Sequence, residues 1–264
     1  LALRIPRFFI PLDSIHPEHE LITLSDRGVI EQITKVLRLD AGNQIDLLDG
    51  RGKIYRCSIT RVQTKGRDKY VSLEAHIDLE QEASGECRYP ISVALPMLRP
   101  SRFEWALEKL TELGVAEIVP LKTERSVERE QKPERWKSIM REAAEQCERG
   151  VIPLTLPPMD LNEYFQHLLP DSNATIFICA ERLHESASDK SGGGALQVVL
   201  CNLKEKAPHK ISVIVGAEGG FTQTELISAQ NAGAMPISLG KRILRSETAA
   251  VYAIAIVQAV LGEQ

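Results

Sequence analysis

Two glycine loops near the end of the chain hold the residues best suited to chemistry. The first, Gly216-Ala217-Glu218-Gly219-Gly220-Phe221, follows the apolar run Ile211-Ser212-Val213-Ile214-Val215. The second, Leu239-Gly240-Lys241-Arg242-Ile243-Leu244-Arg245-Ser246-Glu247-Thr248, follows another short strand. Glycines let a backbone approach a ligand closely and take positive φ. The first loop has neither the dinucleotide spacing nor a Walker A ending, so neither a dinucleotide nor a nucleoside triphosphate is expected there. A plain strand-to-helix turn accounts for its glycines equally well. In the second loop, Leu239, Gly240, Ile243 and Leu244 offer apolar side chains and backbone amides that suit a flat heterocycle. Arg242, Arg245 and Glu247 would surround it. A following helix explains Ser246 as its cap and Glu247 near its positive end. It does not explain two arginines there, whose charge opposes the dipole unless an anion or polar ligand compensates.

Alternating strands and helices position these loops. Ile91–Leu95 reads as a strand, and Ser101-Arg102-Phe103-Glu104 as a capping box for a helix with Phe103, Leu107, Leu110 and Leu113 on one face, stopped by Gly114. Val115–Leu121 is a strand, and Pro133 suits the first turn of a helix running to Arg149. On that helix Trp136, Ile139, Met140, Ala143 and Cys147 face inward. Thr175–Ala180 is a buried strand, residues 188–194 a loop, and Thr222-Gln223-Thr224-Glu225 a second capping box. The pattern predicts a mostly parallel sheet with helices on both faces and ligands at the carboxyl ends of its strands. Arg125-Ser126, with Glu142, Glu145, Gln146 and Arg149, makes a further polar group that a solvated helix face would also explain.

The first part reads as β. Gln44–Leu48 ends in the turn Asp49-Gly50-Arg51-Gly52, Lys53–Val62 continues as a strand, and Val71, Leu73, Ala75, Ile77 and Leu79 alternate with polar residues. Short strands with turn signals suggest a small barrel over residues 1–79, with a linker at 80–89 and an α/β domain from 90 to 264. Arg51, Lys53, Arg56, Arg61, Lys65, Arg67 and Lys69 face only Asp68 within residues 51–70, a local basic surface.

Composition narrows the class. With 43% hydrophobic and 26% charged residues the chain is expected to be globular, and a formal charge of −4 argues against non-specific coating of nucleic acid. Cys57, Cys87, Cys147, Cys179 and Cys201 have no Cys-x-x-Cys spacing, and no histidine pair has metal-ligand spacing. Free thiols, no metal, no membrane span and a cytoplasmic location are the expectations.

Taken together, Gly-Ala-Glu-Gly-Gly-Phe with Glu225, Leu-Gly-Lys-Arg-Ile-Leu-Arg-Ser-Glu-Thr-Ala, Glu-Leu-Gly-Val with Pro-Leu and Arg125-Ser126, and Glu-Ala-Ala-Glu-Gln-x-x-Arg at 142–149 resemble the RsmE-type small-subunit rRNA uridine-N3 methyltransferases of the SPOUT superfamily. Arg7-Phe8-Phe9 and Val36-Leu37-Arg38-Leu39 fit as well, so the resemblance covers nearly the whole chain. It implies an N-terminal PUA-like RNA-binding β-barrel and a trefoil-knotted α/β methyltransferase domain. It further implies binding of S-adenosyl-L-methionine, a homodimer, and methylation of N3 of a uridine in 16S rRNA, free or in the assembled small subunit. Gly216, Glu218, Gly219, Gly220, Leu239, Gly240, Ile243 and Leu244 would hold the cofactor, mainly through backbone. Arg245 would stabilise charge on the uracil oxygens, and Glu247 would orient it or accept the proton. Arg4, Arg7, Arg38, Lys65, Arg67, Lys69, Arg125 and Arg149 would contact RNA. The chain departs from the family at Ala217, commonly proline, at Gln32 and Thr34, where a histidine is frequent, and at Met97-Leu98-Arg99-Pro100, where lysine-glycine is usual. The rival readings are a SPOUT enzyme acting on tRNA or another rRNA nucleotide, and an RNA-binding assembly factor without catalysis. The presence of Arg245 and the loop glycines weighs against the second.

Overall fold

In the computed structural model the described residues are 5–64, 70–127, 130–168, 174–180, 195–203 and 210–261. They gather into two units, one of residues up to Glu86 with Ala144–Ile152, the other of Cys87–Ala143 with the residues from Pro153 onward.

The first unit contains β1 (Arg7–Phe9), β2 (Ile15–His16), β3 (Leu21–Leu24), α1 (Arg27–Glu31), β4 (Gln44–Leu48), β5 (Lys53–Thr64) and β6 (Tyr70–Glu82). Asp26 caps α1 by accepting from the amides of Gly28 and Val29, and one π turn, Gln32–Val36, follows. The strands form one sheet in the order β1-β4-β5-β6-β3-β2, with β1 and β4 parallel and the other pairs antiparallel. Among the described residues this path is open, so the PUA-like barrel is a partly open one. The Asp49 carboxylate builds the β4–β5 turn by accepting from the amides of Arg51 and Lys53 at 2.7 and 2.9 Å, while Gly50 and Gly52 take positive φ. The inward face packs Phe8, Ile22, Ile45, Leu47, Ile59 and Leu73 with Ile30 and Ile33 from the helical segment.

Three expectations change here. The alternation along β6 holds at Leu73 and Ala75 but fails at Leu79, which is 48% exposed. A register shift between Arg56 and Cys57 inserts an extra residue on β6 and puts Leu79 out of phase. The strand also runs to Glu82, so residues 80–82, expected in the linker, are part of the sheet. The basic surface is partly neutralised across strands, because Arg56 pairs with buried Asp46 and Lys53 with Glu80. Lys65, Arg67 and Lys69 of that surface lie outside the described residues.

The second unit contains β7 (Ile91–Pro96), α2 (Pro100–Glu112), β8 (Glu117–Lys122) and the start of α3 (Pro133–Cys147). Next come β9 (Leu154–Thr155), β10 (Met159–Asp160), α4 (Leu161–Leu168), β11 (Ala174–Cys179), α5 (Leu196–Leu203), β12 (Lys210–Ile214), α6 (Gln223–Asn231), β13 (Met235–Ile237) and α7 (Ser246–Leu261). Every strand pair in its seven-stranded sheet is parallel, in the order β10-β8-β7-β12-β11-β13 with β9 beside β8. Ala94, Val119, Ile178 and Ile214 face α4 and α6 through Tyr164, Phe165 and Ala229. Their strand neighbours are buried too, as strands covered on both faces require, with α2, α5 and α7 packed together.

Helix ends show where local signals were overruled. Thr222 and Glu225 form the expected capping box on α6. Ser101 and Glu104 do not, because α2 starts two residues earlier, on Pro100, with Arg99 at the cap position and no side-chain cap bond. Glu104 instead accepts a bidentate pair from Arg135 at 2.6 and 2.7 Å, which holds its carboxyl below the usual range. α3 ends at Cys147, short of Arg149, because Glu148 turns left-handed at φ 67 and the Arg149 amide returns to Ala144 O. The loop expected at 188–194 lies outside the described residues.

Candidate cofactor and reaction site

The carboxyl end of β12 delivers the first glycine loop. Its turn closes through Gly220 N donating to Ala217 O at 2.8 Å, with Gly220 at φ +70. The other two glycines are needed for close approach. A Cβ on Gly216 would meet the Phe221 ring at 3.0 Å, and one on Gly219 would meet Arg125 Cδ at 3.2 Å. Neighbouring elements latch the loop on three sides. Arg125 Nη1 donates to Gly219 O at 2.6 Å and to Phe221 O at 3.4 Å. Ser246 Oγ donates to Gly216 O at 2.7 Å, and Glu225 Oε1 accepts from the amide of Glu124 at 2.9 Å.

These contacts enclose a cavity of about 380 Å³ at the ends of β11 and β12. Gly216, Glu218, Gly219, Gly220, Ile243 and Leu244 line it, six of the eight residues expected around a cofactor, with Ala180, Val215 and Leu226 as apolar wall. Its size is that of a small-molecule site. Glycine backbone, apolar side chains and the Glu218 carboxylate fit an adenosyl group carrying a positive charge. Ile243 is 74% exposed, an apolar residue held in water at this cavity. Leu239 and Gly240 are not among the lining residues: Leu239 is buried, and Gly240 takes φ 114.

The charged candidates divide. Arg245 directly precedes α7, and its carbonyl accepts from Ala249 N at 2.7 Å. Its side chain is exposed and, among the described residues, makes no ion pair or hydrogen bond. Glu247 is only 6% exposed. Its partner is Arg102 rather than Arg245, with Arg102 Nε 3.7 Å from Glu247 Oε1, while Glu247 Oε2 is sealed from solvent with no hydrogen-bond partner. Arg102 Nη1 also donates to Glu218 Oε1. The sequence reading used Arg102 only as part of a cap. The signal available was an arginine in the first turn of a helix, the same argument from dipole sign that singled out Arg245.

Among the expected RNA contacts, Arg4, Lys65, Arg67 and Lys69 lie outside the described residues. Arg38 is exposed at φ 56, beside exposed Val36 and Leu37. Arg7 is largely used within its own unit, donating to Glu148 O at 3.0 Å and pairing with Glu148 and Asp46. Arg125 holds the glycine loop. Arg149 corrects its assignment: it is 3% exposed and bonds Glu86 at 2.7 Å, so burial removes it from any RNA surface. Glu86 also accepts from Val151 N at 3.1 Å, and Glu145 accepts from Phe9 N at 3.0 Å. The charged face of α3 therefore ends in structural bonds. Among the described residues, no three His, Cys, Asp or Glu side chains gather as a metal site, and no helix is long and apolar enough to cross a membrane.

Comparison with known proteins finds two domain models in the chain. The RNA methyltransferase domain model covers residues 85–258, and the RNA methyltransferase PUA domain model covers residues 33–67. Ribosomal RNA small subunit methyltransferase E of Synechocystis sp. is 30% identical over 234 residues, 88% of this chain and 71% of the relative. The crystal structure of the protein of that name from Neisseria gonorrhoeae, bound to S-adenosyl methionine, is 30% identical with a TM-score of 0.78, covering 97% of this chain and 98% of the other. A putative methyltransferase from Legionella pneumophila, in complex with the cofactor SAM, is 28% identical with a TM-score of 0.77 over the same shares. On the strength of a domain model spanning most of its length and of these relatives, the chain belongs to the ribosomal RNA small subunit methyltransferase E family of RNA methyltransferases.

Proposed function

We propose that this chain methylates N3 of a specific uridine in 16S rRNA, using S-adenosyl-L-methionine. One observation carries the reading: a glycine-walled cavity of small-molecule size whose lining residue Leu244 is followed directly by an exposed arginine with no partner among the described residues. When bound, the cofactor supplies a methyl group on a cationic sulfonium, so the protein's task is alignment and management of one proton. Gly216, Gly219 and Gly220 bring backbone against the adenosyl group, and Glu218 sets a carboxylate in the same wall. Arg245 presents its guanidinium to the uracil oxygens, which carry the negative charge once N3 has given its proton to solvent. That charge is spent as N3 bonds the methyl carbon, whose bond to sulfur would break to leave a neutral thioether. Glu247, nearly sealed from water, suits holding a cation better than exchanging protons with solvent. RNA is engaged by Arg38, Lys65, Arg67 and Lys69, which neutralise phosphates. The target uridine leaves its stack to enter.

A homodimer in the cytoplasm completes the reading. α7 exposes Tyr252, Ala255 and Ala259 along one side, and α2 exposes Trp105. A second copy would cover this apolar strip, and sedimentation at micromolar concentration tests it. Nucleoside mass spectrometry of rRNA from cells lacking the protein tests the reaction. The expected result is loss of N3-methyluridine from 16S rRNA, restored by the wild-type chain and not by Arg245→Ala. Unchanged nucleosides would sink it, and loss of a different methylated nucleotide would move the assignment to another target.

A further inference from the structure

Arg102 occupies a place where its charge opposes the dipole of α2, and it has two acidic neighbours distant in sequence. Nη1 donates to Glu218 Oε1, and Nε lies 3.7 Å from Glu247 Oε1. Glu218 belongs to the first loop and lines the cavity. Glu247 stands in the first turn of α7, immediately after the second loop. Among the described residues Arg102 is the one cation within ion-pair distance of the buried Glu247 carboxylate. A buried carboxylate stripped of its cation is strongly unfavourable, so this contact constrains α7. The Glu218 side chain is mostly exposed and would otherwise move freely in water.

We propose that Arg102 is a positioning residue that ties the cavity-lining Glu218 to the buried Glu247 and so sets the two glycine loops against each other. The inference rests on the methyltransferase reading for its consequence but not for its geometry. Because one guanidinium serves both carboxylates, a shift of either loop alters the pairing of the other. The wall that receives the cofactor and the helix start beside Arg245 are thereby coupled through one side chain.

The test uses the full chain with Arg102→Ala, Arg102→Lys, Glu218→Gln and the Arg102→Ala/Glu218→Gln double variant. Three quantities are read: amide hydrogen exchange without ligand, S-adenosyl-L-methionine affinity by calorimetry, and single-turnover methylation of rRNA. Arg102→Ala should speed exchange at both 216–221 and 243–249 while leaving β7 and β12 protected. It should weaken cofactor binding and slow transfer by about tenfold each, as loss of a coupled contact does. Glu218→Gln should speed exchange at 216–221 more than at 243–249 and weaken cofactor binding. In the double variant the affinity losses should fall well short of their product, and Arg102→Lys should recover part of each loss, since an ammonium lacks the fork that reaches both partners. Unchanged exchange in either loop, affinity losses that multiply independently, or exchange raised throughout the sheet would each overturn the proposal. A wild-type chain that neither binds cofactor nor methylates would instead defeat the function, and the exchange result would still decide the role of Arg102.

Discussion

The two ends of the parallel sheet treat polar groups in opposite ways. At the amino end, Tyr164 is buried between Ser92 at 2.7 Å and Ser212 at 2.8 Å. Ser92 Oγ donates to Glu117 Oε1 at 2.7 Å, and Lys210 and His167 also reach that carboxylate. Each hydroxyl has one proton, so the direction is fixed: Ser212 donates to Tyr164, Tyr164 to Ser92, and Ser92 to Glu117. Burial pushes the Tyr164 phenol up to about 12, so it remains a donor. At the carboxyl end, among the described residues, Arg245 has no partner and the buried Glu247 Oε2 has no donor. A closed network stabilises a fold. Groups left open wait for something else, and that difference separates scaffold from site.

The comparison breaks most sharply at Arg245. Arg245→Ala should slow single-turnover methylation by about 10²–10³ at saturating cofactor and RNA, with folding and cofactor affinity near wild type. A near-normal rate would remove Arg245 from the reaction, and a large loss of affinity at normal chemistry would reassign it to binding. Gly219→Val should come next. Its Cβ would lie 3.2 Å from Arg125 Cδ before the branch is added, so the arginine that latches the loop must move. Cofactor affinity should fall by about 10–100-fold, or about 1.4–2.8 kcal/mol, while the far-ultraviolet spectrum is preserved. Calorimetry showing the wild-type constant would contradict the cavity assignment.

How much of this was legible in the sequence depended on how far apart the partners lie. The glycine loops, β4, and the Thr222–Glu225 box are local patterns and form as read. The parallel sheet followed from alternation of elements. Arg149 looked like surface because its partner Glu86 lies 63 residues away in sequence, and no periodicity reports such a pair. The partner of Arg102, Glu218, lies 116 positions away, and no local pattern reports that pair either. The capping box at Ser101 failed because Pro100 and Arg135 compete for the same residues from outside the motif. Positive φ, expected of the first loop as a whole, falls on Gly220, whereas Gly219 is glycine because Arg125 crowds it.

The amino end should respond in stability and not in chemistry. Tyr164→Phe removes the middle of the hydroxyl chain and leaves Ser212 without its acceptor, at a cost of about 1–3 kcal/mol. The melting temperature should drop by about 2–12 °C, with single-turnover methylation unchanged. A slowed transfer step at full stability would show that this end is coupled to the site. The smallest effect concerns acid. Desolvation raises the Glu117 carboxyl, but the Ser92 hydrogen bond, the Lys210 charge and His167 outweigh it, leaving it below its ordinary 4.5. A carboxyl lowered on folding stabilises fully above 4.5 and loses that contribution as pH falls through its folded value. Glu117→Gln should therefore flatten the decline in melting temperature below about pH 4.5 while lowering stability at neutral pH. A parallel decline in both proteins would take Glu117 out of the acid response.

The strand order carries a consequence for how the molecule comes into being. β12 lies between β7 and β11, although both precede it in the chain. On a ribosome, β7, β8 and β11 emerge first, and the two sides of the sheet have nothing to join them until residues 210–214 appear. The central hydrogen-bonded seam, from Ile211 beside Ile91 to Ile178 beside Ile214, is thus completed only after β7, β8 and β11 have all emerged. The PUA-like sheet, whose strands all lie before residue 83, can assemble much earlier. A nascent chain paused before residue 210 should present a folded first sheet and a second with its middle missing, the state in which open strand edges are most exposed to aggregation and in need of a chaperone.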